Sequence, residues 1–199
     1  MSQDQRFLGK IIVITGGGGY LGREGCLYFS QRGARIAALD KSPTALQETV
    51  QAVKKQVGED ALIMTVECDV TKVDSVQSAV ETVVATLGGI DMLWNNAGYQ
   101  GMIKPTLEYD PADFSMVMNI NVTGMFIVLQ AVAKIMANRN RGSIVNTASV
   151  AGLGCTPAMV AYASSKAAVL AMTVSSSKVC TMRNVTFMCQ CMFVLIFLC

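Results

Sequence analysis

Tyr162 and Lys166 stand four residues apart in "YASSK" (162–166), a spacing that puts two side chains on one face of a helix. A free tyrosine titrates near about 10 and is a poor base at neutral pH. An ammonium group beside it favours the phenolate, and a phenol so placed can give or take the proton of an alcohol. Tyr-x-x-x-Lys also occurs on solvated helix faces, so the pair needs company. Ser149 supplies some, because it closes the strand-like run "GSIVNTAS" (142–149). In a parallel α/β sheet, ligands gather at the carboxyl ends of strands. The chain has no histidine, which excludes a Ser-His-Asp triad, a Cys-His dyad and any His-ligated metal; no metal site is expected.

A second cluster lies near the start. "TGGGGYLG" (15–22) joins the apolar run "IIVIT" (11–15) to a helical pattern over 20–33. Glycines let the backbone approach a phosphate closely, and a helix start offers free N–H groups and a positive dipole end. Asp40 ends the next strand-like run, "RIAALD" (35–40), where a carboxylate can bond an adenosine ribose. The combination points to a dinucleotide, with hydride chemistry at its nicotinamide. No Gly-Lys-Ser/Thr follows the glycines, so the loop is not a nucleoside-triphosphate P-loop. The Asp40 carboxylate repels a 2′-phosphate, while Lys41 softens that repulsion. NAD is therefore expected over NADP.

These groups need a scaffold. Helical patterns over 42–58, 71–88, 111–138 and 158–178 alternate with strand-like runs over 61–68, 90–98 and 142–149. Ser42 then Pro43 open the first of these helices, and Thr71 is the expected cap of the second, with Asp74 at the capping-box position. Alternation of this kind means βαβ units and a parallel sheet covered by helices on both faces. A length of 199 residues favours one domain. A net charge of +2 is too small to argue for nucleic acid. Cys26, Cys68 and Cys155 are widely spaced and read as reduced, buried thiols of a cytoplasmic chain. The N-terminus, "MSQDQRFLGK", lacks the pattern of a secretory signal.

Taken with "CDV" (68–70), "NNAG" (95–98), "NINVTG" (119–124) and "SVAG" (149–152), the motifs over residues 8–178 resemble the short-chain dehydrogenase/reductase family. The resemblance implies a Rossmann-like doubly wound α/β sheet and an NAD(P)-dependent oxidoreductase acting on a secondary alcohol or ketone. It implies that Tyr162 is the general acid/base and that Lys166 supports it and holds the nicotinamide ribose. Ser149 would orient the substrate oxygen, and Asn121 would hold a water leading to Lys166, with Asn119 the competing asparagine. Gly16, Gly19, Leu21 and Gly22 would cradle the pyrophosphate, with Asp40 on the ribose. Asp69 and Val70 would border the adenine, Asn96, Ala97 and Gly98 would line the cofactor, and Asn95 would brace the sheet. Tyr20 stands where the family's T-G-x-x-x-G-x-G pattern has its middle glycine. Subunit pairing into a homo-oligomer through the helices at 111–138 and 158–178 is also implied.

After Lys178 the resemblance stops. The family continues with a sixth strand, a substrate-covering segment and a seventh strand; here stands "VCTMRNVTFMCQCMFVLIFLC". Residues 1–178 read as an incomplete dinucleotide-binding domain lacking the usual last two strands. Residues 179–199 read as an atypical apolar tail, of the kind a retained intron or frameshift produces. The run from Phe187 to Cys199 falls short of the roughly 20 residues that span a membrane, so no membrane partner is expected and tail contact with a lipid surface is the lesser reading. Cys189 and Cys191 are too few for a thiolate metal site. "NVTFMC" is β-prone and suits an edge strand on the otherwise open fifth strand. The alternative to an enzyme is an inert, poorly soluble product that at most binds nucleotide or a partner subunit.

Overall fold

Each short aliphatic run becomes a strand, and each capped amphipathic run becomes a helix that crosses back over the sheet. The computed structural model describes residues 5–154, 156–180, 184–191 and 194–196. In chain order they form β1 (Ile11–Thr15), α1 (Tyr20–Ser30), β2 (Arg35–Asp40), α2 (Pro43–Val57), β3 (Ile63–Glu67), α3 (Val73–Leu87) and β4 (Met92–Asn95). Then come α4 (Pro111–Met118), α5 (Met125–Asn138), β5 (Gly142–Thr147), α6 (Val160–Cys180), β6 (Val185–Cys191) and β7 (Val194–Ile196). The sheet runs β3-β2-β1-β4-β5-β6-β7. The first six strands are parallel and β7 is antiparallel to β6. This is the doubly wound, Rossmann-like arrangement.

Alternate residues of each strand feed two cores. Val13, Ala37, Leu39, Leu93 and Ile144 pack with α3 and α5 through Val76, Val83, Val128 and Met136. Ile12, Ile14, Ile36 and Ala38 face α1 and α2 through Cys26, Leu27, Leu46 and Val53. On that second face α1 and α2 cover only the β1–β3 half. Helices lie on both faces as expected, and beyond that half Met92, Trp94 and Val145 border a groove of ≈ 380 Å³ with Tyr28 and Phe29. At the sheet margin, β3 is also half-exposed along its length.

The tail supplies the sixth strand. Val185 to Gln190 pair in register with Gly142 to Thr147 of β5, and Val185, Phe187 and Cys189 are each 1% exposed. The apolar segment thus takes the sixth position in the sheet, beside β5. Phe187 joins the larger core beside Ile144 and Met136.

Two local expectations change. The helix over 111–138 is interrupted by a π-turn, Asn119–Gly124, between α4 and α5. Its length and composition would suit a membrane span, yet Val128, Leu129, Val132 and Met136 are core residues. Thr71 does not cap α3; Lys72 holds the cap position and makes no side-chain cap bond. The Thr71 hydroxyl instead donates to Asp69 Oδ1 at 2.7 Å, the stronger bond because its acceptor is charged. Cys26 and Cys68 are buried and free, whereas Cys155 lies outside the described residues.

Phe187→Ala should cost about 3–5 kcal/mol, as truncation of a buried aromatic does. Urea denaturation measures it; an unchanged midpoint would show that β6 is not part of the core.

Candidate active site

The winding of the sheet reverses at β1, with β2 on one side and β4 on the other. Diverging connections at such a point leave a crevice at the carboxyl ends of the strands. Here it is a cleft of ≈ 500 Å³. Gly16, Asp40, Asp69, Val70, Ala97 and Gly98 all line it, with Asn119. So do Cys68, Thr71, Tyr99 and Met116, of which sequence reasoning gave no role to Tyr99 or Met116.

The glycine loop sits at the floor of this cleft. Gly16 adopts φ +67, and a Cβ on Gly22 would lie 2.1 Å from the Gly16 carbonyl oxygen. Only glycine at 22 lets α1 begin so close under the turn. Gly19 is the cap residue of α1, and the first helical bond runs from Arg23 N to Gly19 O at 2.9 Å. The N–H groups of Tyr20, Leu21 and Gly22 therefore precede any intrahelical acceptor. The Tyr20 side chain is 81% exposed, so the departure from glycine at this position meets no steric obstacle.

Asp40 is held rather than free to swing. Its Oδ2 accepts from Gly18 N at 3.1 Å and its Oδ1 from Ser42 N at 3.0 Å. Further along the same wall, Asp69 Oδ1 accepts from the Thr71 hydroxyl and the Thr71 N–H. Those two bonds, the hydroxyl first, hold its carboxyl below the usual value. Burial pushes the neighbouring Cys68 thiol up to about 11, so it stays protonated at neutral pH.

The opposite wall hangs from Thr15. Its hydroxyl accepts from Asn96 N and Ala97 N at 2.9 and 3.0 Å and donates to Asn95 Oδ1 at 3.3 Å, which uses its full capacity. Asn95 Nδ2 donates onward to Met125 O and to Asn146 Oδ1. Asn146 donates to the Thr173 hydroxyl of α6 at 3.0 Å. Asn95 thus spans β1, β5 and α5, and Asn96 Nδ2 adds a bond to Thr15 O at 3.2 Å.

Lys166 is 3% exposed. Its ammonium donates to Thr147 O at 2.7 Å and lies 5.5 Å from the centre of the Tyr162 ring. Asn121 is fully buried in the π-turn, whereas Asn119 is exposed. Asn121 Oδ1 accepts from Tyr99 N at 2.7 Å, and its Nδ2 donates to Tyr99 O at 2.8 Å and Ser165 Oγ at 3.0 Å. Ser165 in turn donates to Tyr162 O at 2.7 Å. A methyl group placed on Gly98 would lie 3.3 Å from Asn121 Oδ1 and 3.7 Å from Lys166 Nζ. Asn121 and Lys166 therefore lie against Gly98, a lining residue of the cleft. Ser149, 8% exposed, accepts from Ala151 N at 3.2 Å as the cap of a short turn, Val150–Gly152. That bond uses an oxygen lone pair and not the hydroxyl proton. Ser165 and Thr15 were missed, although they stand inside or beside the quoted motifs.

The family model described as short chain dehydrogenase matches residues 10–194, a span that includes β6. Levodione reductase of Leifsonia aquatica is 35% identical over 88% of this chain and 66% of its own length. Secoisolariciresinol dehydrogenase of Forsythia intermedia is 34% identical over 85% of this chain and 60% of its own. The chain thus spans about three fifths to two thirds of these relatives. A crystal structure of NAD+-bound xylitol dehydrogenase is 40% identical, with a TM-score of 0.87 over 90% of this chain and 68% of that one. A levodione reductase structure gives 33% and 0.89, over 92% of this chain and 70% of that one.

Thr71→Val removes one of the two donors to Asp69, and the carboxyl should titrate closer to its ordinary value. A lowered folded-state value stabilises the fold above the unfolded value, near about 3.9, and the benefit is lost as pH falls through the folded one. The variant should therefore lose less stability on acidification than the parent. Carboxyl NMR titration and acid unfolding measure the two effects; unchanged titration would show that the hydroxyl bond does not hold in solution.

Proposed function

The chain belongs to the short-chain dehydrogenase family, and on that premise we propose that it is an NAD(P)-dependent oxidoreductase of secondary alcohols and ketones. The observation that carries the reading is the buried Lys166 ammonium beside the Tyr162 ring and close to Gly98, which lines the cleft together with Gly16 and Asp40. Free amides at the start of α1 suit a pyrophosphate. Asp40 suits the adenosine ribose, Asp69 and Val70 the adenine edge, and Asn96, Ala97 and Gly98 the opposite wall.

A bound nicotinamide supplies the hydride acceptor or donor. The protein's part is the proton. In alcohol oxidation the Tyr162 Oη takes the hydroxyl proton as hydride leaves the same carbon; in ketone reduction it returns it. Lys166, its ammonium 5.5 Å from the centre of the Tyr162 ring, would hold the nicotinamide ribose. Ser149 holds the substrate oxygen. Asn121 positions water on the path to Lys166.

NAD is proposed over NADP. Asp40 is fixed by Gly18 N and Ser42 N, so it cannot turn aside from a 2′-phosphate. The NAD+ in the xylitol dehydrogenase relative supports the same choice. A homo-oligomer is proposed through the outer faces of α5 and α6, where Phe126 is 45% exposed. A reducing, cytoplasmic setting suits the free Cys26 and Cys68 thiols.

Fluorescence titration should show reduced NAD binding at least about tenfold more tightly than reduced NADP, roughly 1.4 kcal/mol; equal affinities would remove Asp40 from the assignment. Tyr162→Phe keeps the ring and removes the proton, and should lower turnover about 10²–10⁴-fold. A variant keeping more than about a tenth of the parent rate would mean that another group moves the proton.

A further inference from the structure

Asp113 belongs to no motif, yet three hydrogen bonds from the loop after β4 converge on its carboxylate. Oδ1 accepts from the Tyr99 hydroxyl at 3.0 Å. Oδ2 accepts from the Tyr109 hydroxyl at 2.6 Å and from Met102 N at 2.8 Å. The loop closes down on this point. Gly101 adopts φ +74, and a Cβ there would lie 2.6 Å from the Tyr109 hydroxyl and 2.9 Å from Asp113 Oδ2. Asp113 stands in the first turn of α4, where a negative charge suits the helix dipole. The same loop is tied on its far side by Lys104 N to Ala158 O at 2.9 Å, just before α6.

Tyr99 faces two ways. Its side chain goes to Asp113, while its main-chain N–H and C=O both bond the Asn121 amide. Asn121 then reaches Ser165, and Ser165 reaches the Tyr162 carbonyl. We propose that Asp113 is a positioning residue for the Tyr162–Lys166 site: it fixes the loop after β4 and, through the main chain of Tyr99, the Asn121 amide. Protonation states agree with this role. The bonds it accepts, from Tyr109 first, keep the Asp113 carboxyl below its usual value. Burial, then the bond to Asp113, pushes the Tyr109 phenol up to about 12. The bond to Asp113 also raises the Tyr99 phenol. At neutral pH the acceptor is charged and both donors keep their protons. The proposal rests on reading Asn121 and Tyr162 as site residues, and its test separates the two.

Amide hydrogen exchange on the full chain, parent against Asp113→Ala and Tyr99→Phe, reads the transmission directly. The Tyr99 amide bonds Asn121, not Asp113, so a purely local clip would leave it unchanged. Loss of a hydrogen bond to a charged group should speed its exchange by about tenfold or more. Amides of β1 and β4, such as Val13 and Leu93, should keep their parent rates. Tyr99→Phe removes only a surface hydroxyl, so it reports even where Asp113→Ala loosens the whole fold. Acceleration of Met102 with no change at Tyr99 would overturn the proposal, because Asp113 would then hold only its own loop. In the same variants the affinity for reduced NAD should fall. A chain that binds no reduced NAD but shows the transmitted exchange supports the positioning of Asn121 and removes only the cofactor reading.

Discussion

An ammonium group that is almost wholly out of water has to be answered by the protein around it, and Lys166 sets that condition here. Its charge costs free energy to bury unless donors and acceptors are placed to compensate. The Thr147 carbonyl at 2.7 Å, in the last residue of β5, is one such acceptor. The end of β5 and the first turns of α6 are thus held together by the group on which the proposed proton chemistry depends.

Buried polar bonds fix how the sheet is assembled beneath that group. Thr15, Asn95, Asn146 and Thr173 form a continuous chain from β1 through β4 and β5 to α6. A core of aliphatic side chains tolerates small displacements, but such a chain has one register in which every member is satisfied. A one-residue slip of β4 would turn Asn95 to the other face and leave its partners unpaired. The polar chain and the cleft wall share Thr15, so what sets the register also places Asn96 and Ala97.

Much of this was legible in the sequence because the signals are local. Glycines between a strand and a helix, a carboxylate at the end of β2, and a tyrosine and lysine one turn apart are short patterns with direct physical meaning. What escaped has one property in common: it depends on contacts distant along the chain. The π-turn at Asn121 continues a helical run on both sides, and the Asn121 side chain is held by Tyr99 and Ser165, which lie 22 and 44 residues away. Thr71 reads as a cap until Asp69 competes for its hydroxyl. Tyr99 and Asp113 have no motif, and the groove beside Trp94 follows from where α1 and α2 end. The tail is intermediate: "NVTFMC" was legible as strand, but the burial of Phe187 beside Ile144 required the sheet.

The measurement closest to the centre of this account is a crystal structure of the chain with NAD+. The pyrophosphate is expected at the amides of Tyr20, Leu21 and Gly22, the adenosine ribose on Asp40, and the nicotinamide ribose within hydrogen-bond reach of Lys166 Nζ, about 2.7–3.2 Å. A dinucleotide bound elsewhere, or one in the cleft with its nicotinamide ribose out of reach of Lys166 Nζ, would contradict that expectation.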